Sequence, residues 1–515
     1  MLSWLKGDKV DHPLADAKEA KKMIDDFPYK DPWKTLEDAS YWLDSVNATE
    51  GFRLERRFEI IDMLDVATRK SQLHMLNAYV MLAEDDRVQE KRIWKLVSDF
   101  WLLLGEGYLI CVNQAREDVK AVPNALKPRL AVIAARAMRA LRHQMKWALM
   151  RYGAVRPAIW EEIAHCMLLA KAVDAVEKPV ELYAGAGNQS SPCYEFLRAM
   201  LFWMASPSGL SPIEQDIAER LVAHLTPRFR FGTKSWEGCD YCFALDEARP
   251  PVRLMRSTPV TAATCYFDVG DSRQTVQAMF SMVSSTGTPP SGVDWGQTAD
   301  GPTIGRVLKH VGVNWAKELP ARAAERQRIA LRLEVVHGYQ HVQSVIEPGT
   351  GAGANSADTP ARDSWVAEDV SARGYGFIVP AGKGEWLRVG VLVALRSETD
   401  SSWNLGVIRR VKGDERRQHH IGIQLISKTA VPVYLRSLTG VEHGSKRQNA
   451  ILLGTRPSPT GSLHIVARRD LFNGREPLEA MYGTTFSTVI LEPGGIVESG
   501  HDFDWLRYKL SAPAA

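Results

Sequence analysis

The sequence predicts a multidomain α+β chain, with an all-α helical-hairpin bundle first and an antiparallel β-barrel with additional β region after it. Three observations predict this. Apolar residues recur at helical spacing from Pro13 to Leu225, with prolines and glycines at the joints. From Leu331 onward the texture changes to short β-branched runs separated by turn residues. Two short polar signatures, Arg328-Ile-Ala-Leu-Arg332 and Asp369-Val-Ser371-Ala-Arg-Gly374, stand in order inside that β-type run.

The helices follow in chain order. Pro13 to Asp26 is amphipathic and stops at Phe27-Pro28. Lys34 to Val46 places Leu36, Ala39, Trp42 and Leu43 on one face. A long pattern follows Gly51 as far as Leu82, with Phe58, Ile61 and Leu64 as core candidates. Gln89 to Asn113 is apolar almost all round, which predicts a central helix. Leu126 to Arg151, Ala158 to Val176, Pro192 to Ala205 and Pro212 to Leu225 complete the set. No fixed repeat period runs through them, so a bundle or irregular helical array is expected over residues 1–226.

No acidic residue lies between Val119 and Trp160, whereas Arg136, Arg139, Arg142 and Lys146 fall near one face of the basic helix 127–151. That face reads either as a docking surface for an acidic partner or nucleic acid, or as a solvated face paired with Glu84, Asp85 and Asp86. The second reading is favoured, because a net charge of +3 gives no general attraction for nucleic acid.

Residues 227–315 read as a small α+β module or an extension of the helical part. Strands are expected at Phe229–Phe231, Tyr241–Leu245, Val252–Met255 and Ala262–Val269, and helices at Ser272–Val283 and Thr303–Lys317. Cys239-Asp-Tyr-Cys242 has no second ligand pair at zinc spacing, so it reads as two ordinary thiols. The histidines are scattered and no nucleophile–base set is visible, so no enzyme activity is expected.

In residues 316–427, Ala316 to Arg326 reads as a charged helical lead-in. Strands follow at Leu331–Val336, Gly374–Val379, Val391–Arg396, Leu405–Val411 and Ile421–Ile426. The RxxxR and DxSxxG elements, a following G-x-x-V stretch and the closing Ile-Gly-Ile-Gln-Leu-Ile strand resemble the PilZ domain, a family that binds the bacterial second messenger cyclic di-GMP. A long insert from Pro348 to Asp363, rich in Gly, Ala, Ser and Thr, departs from the family pattern and reads as a flexible loop.

The side-chain chemistry suits that ligand. Arginine can fork onto phosphate oxygens or onto guanine O6 and N7, and can stack on a purine. The resemblance makes Arg328, Arg332, Asp369, Ser371 and Gly374 the expected cyclic di-GMP contacts. Asp369 would accept from a guanine edge, Ser371 would bond a phosphate or the local backbone, and Gly374 would clear space for the ligand. Arg326 and Arg373 are further cations that an intercalated ligand pair would need. No metal and no cofactor besides the ligand is expected.

Residues 428–515 carry more β-type runs and read as a second barrel or an extension of the first sheet. No apolar run reaches the ~18 residues that span a bilayer, and six cysteines in 515 residues suggest a reducing cytoplasmic compartment. The expected function is that of a cytoplasmic cyclic di-GMP receptor, passing its signal to its own helical half or to a protein partner docked there. A scaffold with a degenerate barrel, and a nucleic-acid-binding protein using helix 127–151, are the alternatives.

Overall fold

The structure, a computed structural model, describes residues 10–82, 86–185, 187, 189–297, 299–319, 325–347, 362–380, 382, 386–400, 402–438, 447–454, 461–482 and 487–511. The chain divides into two compact units, residues 1–207 with 212–320 and residues 321–515 with 208–211.

The first unit begins with α1 (Ala17–Asp25), α2 (Pro32–Ala48), α3 (Leu54–Val80), α4 (Arg87–Glu117), α5 (Leu130–Met150) and α6 (Ala158–Ala172). After a two-stranded ribbon, β1 (Val180–Glu181) with β2 (Gln189–Ser190), come α7 (Pro192–Met204) and α8 (Pro212–Leu225). Their starts are written in the sequence. The side chains of Asp16, Asp31, Asp86 and Ser191 accept hydrogen bonds from the otherwise unpaired first-turn N–H groups, and Pro32 and Pro192 occupy the positions that need no N–H.

The helix enclosed on most sides is α5, whose buried face runs from Leu130 to Met150. Its basic residues are therefore interior. Lys146 is fully buried and donates to Asp216 at 2.5 Å and to Glu219. Arg136 pairs with Asp62, and Arg142 with Glu219 and Glu195. This overturns both readings of the basic helix. The face is neither solvated nor a docking surface, and its partners come from α3, α7 and α8. Of the acids expected to pair with it, Glu84 and Asp85 lie outside the described residues. Periodicity locates a charged face but not what covers it, and these partners lie as far as 74 residues away in sequence.

By length and composition α4 could cross a membrane, having an 18-residue window of mean hydropathy 1.3. Because 56% of that window is packed inside the unit, α4 is accounted for as a core helix.

A four-stranded antiparallel sheet completes the unit: β3 (Arg230–Gly232), β4 (Tyr241–Ala244), β5 (Val252–Arg253) and β6 (Thr264–Asp268), in the order β3-β6-β4-β5. It packs on α7 through Phe196, whose ring meets those of Phe231, Phe243 and Phe267 edge-on. The helices α9 (Ser272–Thr286) and α10 (Gly301–Asn314) follow. Ala316–Leu319 are not helical, so the expected lead-in helix is absent from its described part, and 320–324 lie outside the described residues. All six cysteines are free thiols.

The second unit opens with β7 (Gln327–His337), then α11 (Tyr339–Ile346), which the sequence reading missed. The strands β8 (Asp363–Ser371), β9 (Gly374–Pro380), β10 (Leu392–Ser397), β11 (Asn404–Gly413) and β12 (Gln418–Ser427) close with β7 into an antiparallel six-stranded barrel, in the order β10-β11-β12-β9-β8-β7. Of the expected flexible insert, residues 348–361 lie outside the described residues, and Asp363 already belongs to β8.

A second closed six-stranded barrel follows, with the order β13-β14-β15-β18-β17-β16. Its strands are β13 (Ala430–Ser437), β14 (Gln448–Leu453), β15 (Ser462–Arg468), β16 (Leu478–Tyr482), β17 (Ser487–Ser499) and β18 (Phe503–Leu510). The two barrels share a core. Tyr339, Val342 and Ile346 of α11 pack with Leu392 and Leu405 of the first barrel and with Ile451, Val466 and Phe503 of the second. Burying such a continuous apolar surface is worth roughly 25 cal/mol per Å² removed from water.

Candidate ligand groove on the first barrel

Alternation along a strand sends successive side chains to opposite faces. Among the register irregularities of the first barrel, those on β8 and β11 break that rule beside charged residues. On β8, Ala367 is buried and points into the barrel, so Asp369, two residues on, should point inward as well. A register shift between Ala367 and Asp369 inserts Glu368 as an extra residue and turns Asp369 to the outer face. On β11, Ile408 is buried inside, and a register shift between Ile408 and Arg410 turns Arg410 outward in the same way.

These two residues belong to one row across five strands. Arg328 on β7 faces Asp369 on β8; Asp369 faces Gly376 on β9; Gly376 faces Gly422 on β12; Gly422 faces Arg410 on β11. The Asp369 carboxylate lies over Gly376, where an added Cβ would stand 2.7 Å from its Oδ1. A groove of about 320 Å³ runs over this row, lined by Arg326, Asp369, Gly376, Arg410, Lys412 and Gly422 among others.

Arg326 donates to Asp369 across 3.0 Å just before β7 begins. Crowded positive charge marks the opposite wall. Partial desolvation and the neighbouring Arg326 push the Arg410 guanidinium down from its ordinary value. Desolvation and Arg410 do the same to the Lys412 ammonium. At the rim, Asp414 is held below the usual carboxylate range by the Gln418 N–H and by His420, whose Nε2 lies 3.0 Å from its Oδ2.

The sequence-predicted residues distribute as follows. Asp369 and Arg326 line the groove, and Arg328 stands in register beside Asp369. Arg332 pairs with Val366 farther along the outer side of β7, exposed like Arg328; among the described residues no ion pair or hydrogen bond engages either side chain. Ser371 closes the β8–β9 turn, its Oγ accepting from Arg373 N–H at 3.3 Å and donating to the Gly374 carbonyl at 3.4 Å. Arg373 is exposed at that turn, outside the groove lining. Gly374 is buried, and an added Cβ would meet the Ile423 carbonyl oxygen at 2.0 Å. Strand-to-strand approach therefore already requires this glycine, whatever a ligand requires. Sequence reasoning missed Gly376, Arg410, Lys412 and Gly422. The two glycines were readable as side-chain gaps inside strands; the outward turn of Arg410 was not, because it depends on the bulge.

Residues 298–432 match the family described as "Cyclic-di-GMP receptor FimW, middle PilZ domain", and residues 18–235 match "Cyclic-di-GMP receptor FimW, N-terminal domain". The chain belongs to this cyclic-di-GMP receptor family. The first barrel is thus a PilZ domain, and the helical unit corresponds to the receptor's N-terminal domain over most of its length. The second barrel, from β14 onward, lies outside both matches. No curated protein matches the chain.

Proposed function

We propose that the PilZ barrel binds cyclic di-GMP on its outer face, in the groove over the Arg328–Asp369 row. The arginines Arg328 and Arg332 engage phosphate and guanine, and Asp369 accepts from a guanine edge. The observation that carries the reading is the register of Arg328 with Asp369 beside a glycine floor. Arg328 stands opposite Asp369 and Arg332 opposite Val366 on the same strand, both side chains exposed, so two cations are offered to one ligand presenting two phosphates. The exposed Arg326–Asp369 pair is worth at most about 1 kcal/mol, so a guanine edge competing for Asp369 displaces it at little cost.

The same reading makes the chain a receptor rather than an enzyme, acting in a reducing cytoplasm that suits its six free thiols. Its output is engagement of a protein partner or of its own helical unit. Calorimetric titration of the full chain with cyclic di-GMP tests the site. Arg328→Ala and Arg332→Ala should each weaken binding by about 2 kcal/mol, roughly thirtyfold. Parent-like affinity in both variants would place the ligand elsewhere. The same titration reads stoichiometry: two ligands per parent chain, falling to one in Arg326→Ala, is the outcome expected if Arg326 serves an intercalated pair.

A further inference from the structure

The groove has a second charged wall that neither polar signature includes. We propose that Arg410 is a ligand-binding arm of this groove, opposite Arg328, and that Gly422 keeps the floor between them open for the bound dinucleotide. The proposal rests on the cyclic di-GMP reading above and deepens it.

Three independent features of the fold support it. The first is the bulge at Arg409. Without it Arg410 would point into the barrel beside the buried Ile408; with it the guanidinium joins the outer face, as the bulge at Glu368 does for Asp369. One device is used on both sides of one groove, each time to bring a charged side chain to the same face. The second is position. Arg328 and Arg410 end the five-strand row, and Arg410 lines the same groove as Asp369 and Arg326. Guanidiniums at the two ends suit a ligand with two phosphates and two guanine edges, each of which an arginine fork can address. The third is the unexplained glycine. Gly376 is required by the Asp369 carboxylate above it, whereas an added Cβ on Gly422 would find its nearest atom, the Arg410 Cβ, at 3.6 Å, an ordinary contact. A glycine inside a strand weakens it, and packing does not call for one at 422.

Charge points the same way. Arg410 makes no ion pair among the described residues, and Arg326 and Lys412 stand close enough to disfavour its charged form or to be disfavoured by it. An anion between them relieves that repulsion.

The test is titration of the full chain and its variants with cyclic di-GMP, with melting temperature measured in parallel. Arg410→Ala should weaken binding roughly tenfold or more, with an unchanged melting temperature because the residue is exposed. Arg410→Lys, which keeps the charge and loses the fork, should recover only part of that loss. Gly422→Val should abolish or strongly weaken binding while the melting temperature holds or rises, since valine favours a strand. Parent-like affinity in Arg410→Ala overturns the proposal, and so does parent-like affinity in Gly422→Val. If Arg328→Ala loses affinity while Arg410→Ala does not, the inference falls and the reading of the groove stands. If the parent chain takes up no cyclic di-GMP, both fall together.

Discussion

Single residues in the DxSxxG signature divide between the outer groove and barrel construction. Asp369 is presented to the groove, whereas Ser371 holds a turn and Gly374 lets β9 approach β12. We expect Gly374→Val to destabilise the barrel by on the order of 2 kcal/mol or more, because the new Cβ cannot avoid the Ile423 carbonyl without moving a strand. Thermal unfolding measures this, and a melting temperature equal to the parent's would show that β9 can shift freely. The contrast with Gly422 is informative. Both are strand glycines, yet only Gly374 has backbone within an impossible distance of an added side chain. The sequence makes Asp369, Ser371 and Gly374 visible as a motif but cannot divide their roles, because the division depends on what lies across the ladder. Arg410 was invisible for a related reason. In Ile408-Arg409-Arg410-Val411 nothing marks which residue is the bulge, and the pattern reads equally well with Arg410 inside.

At the scale of elements, local signals were readable and long-range ones were not. The helices α1 to α10 follow from apolar periodicity, helped at α1, α2, α4, α7 and α10 by a capping side chain one position before the start, and most strands of both barrels follow from β-branched runs between turns. The misses are the two-residue strands β1 and β2, α11, which is short and lies between two barrels whose packing stabilises it, and β8 and β16, whose pairing partners complete them. The charge on α5 was legible, but its burial was not, since Asp62, Glu195, Asp216 and Glu219 close over it from three other helices. Replacing Lys146 by Ala leaves Asp216 with Arg220 and Glu219 with Arg142 as their remaining cations, and losing one member of a buried charge network costs up to about 3–5 kcal/mol. Thermal unfolding of the helical unit should show that loss. Lys146→Ala melting at the parent's temperature would mean that water or Arg220, which already donates to Asp216 at 2.8 Å, compensates the two carboxylates.

At the scale of the molecule, the PilZ barrel and the second barrel behave as one body by construction. Tyr339 of α11 donates its hydroxyl hydrogen to the Asn449 carbonyl at 2.9 Å, the Gly390 carbonyl accepts from His501 N–H at 3.0 Å, and Arg409, the residue at the β11 bulge, pairs with Glu498 of β17 through both of its terminal nitrogens. The bulge that presents Arg410 is therefore anchored by the second barrel, and a fragment that ends at Ser427 lacks both that anchor and half of the shared core. We expect a fragment of residues 316–515 to unfold in one cooperative transition and to retain most of the parent's affinity for cyclic di-GMP, because every groove residue and both barrels are present in it. A fragment of residues 316–427 should expose Val336, Tyr339, Leu392 and Leu405 to water and bind poorly or aggregate. Calorimetric titration and thermal unfolding of the two fragments separate the possibilities. If the longer fragment folds and fails to bind, the ligand site draws on the helical unit; if the shorter one folds and binds like the parent, the second barrel plays no part in holding the groove.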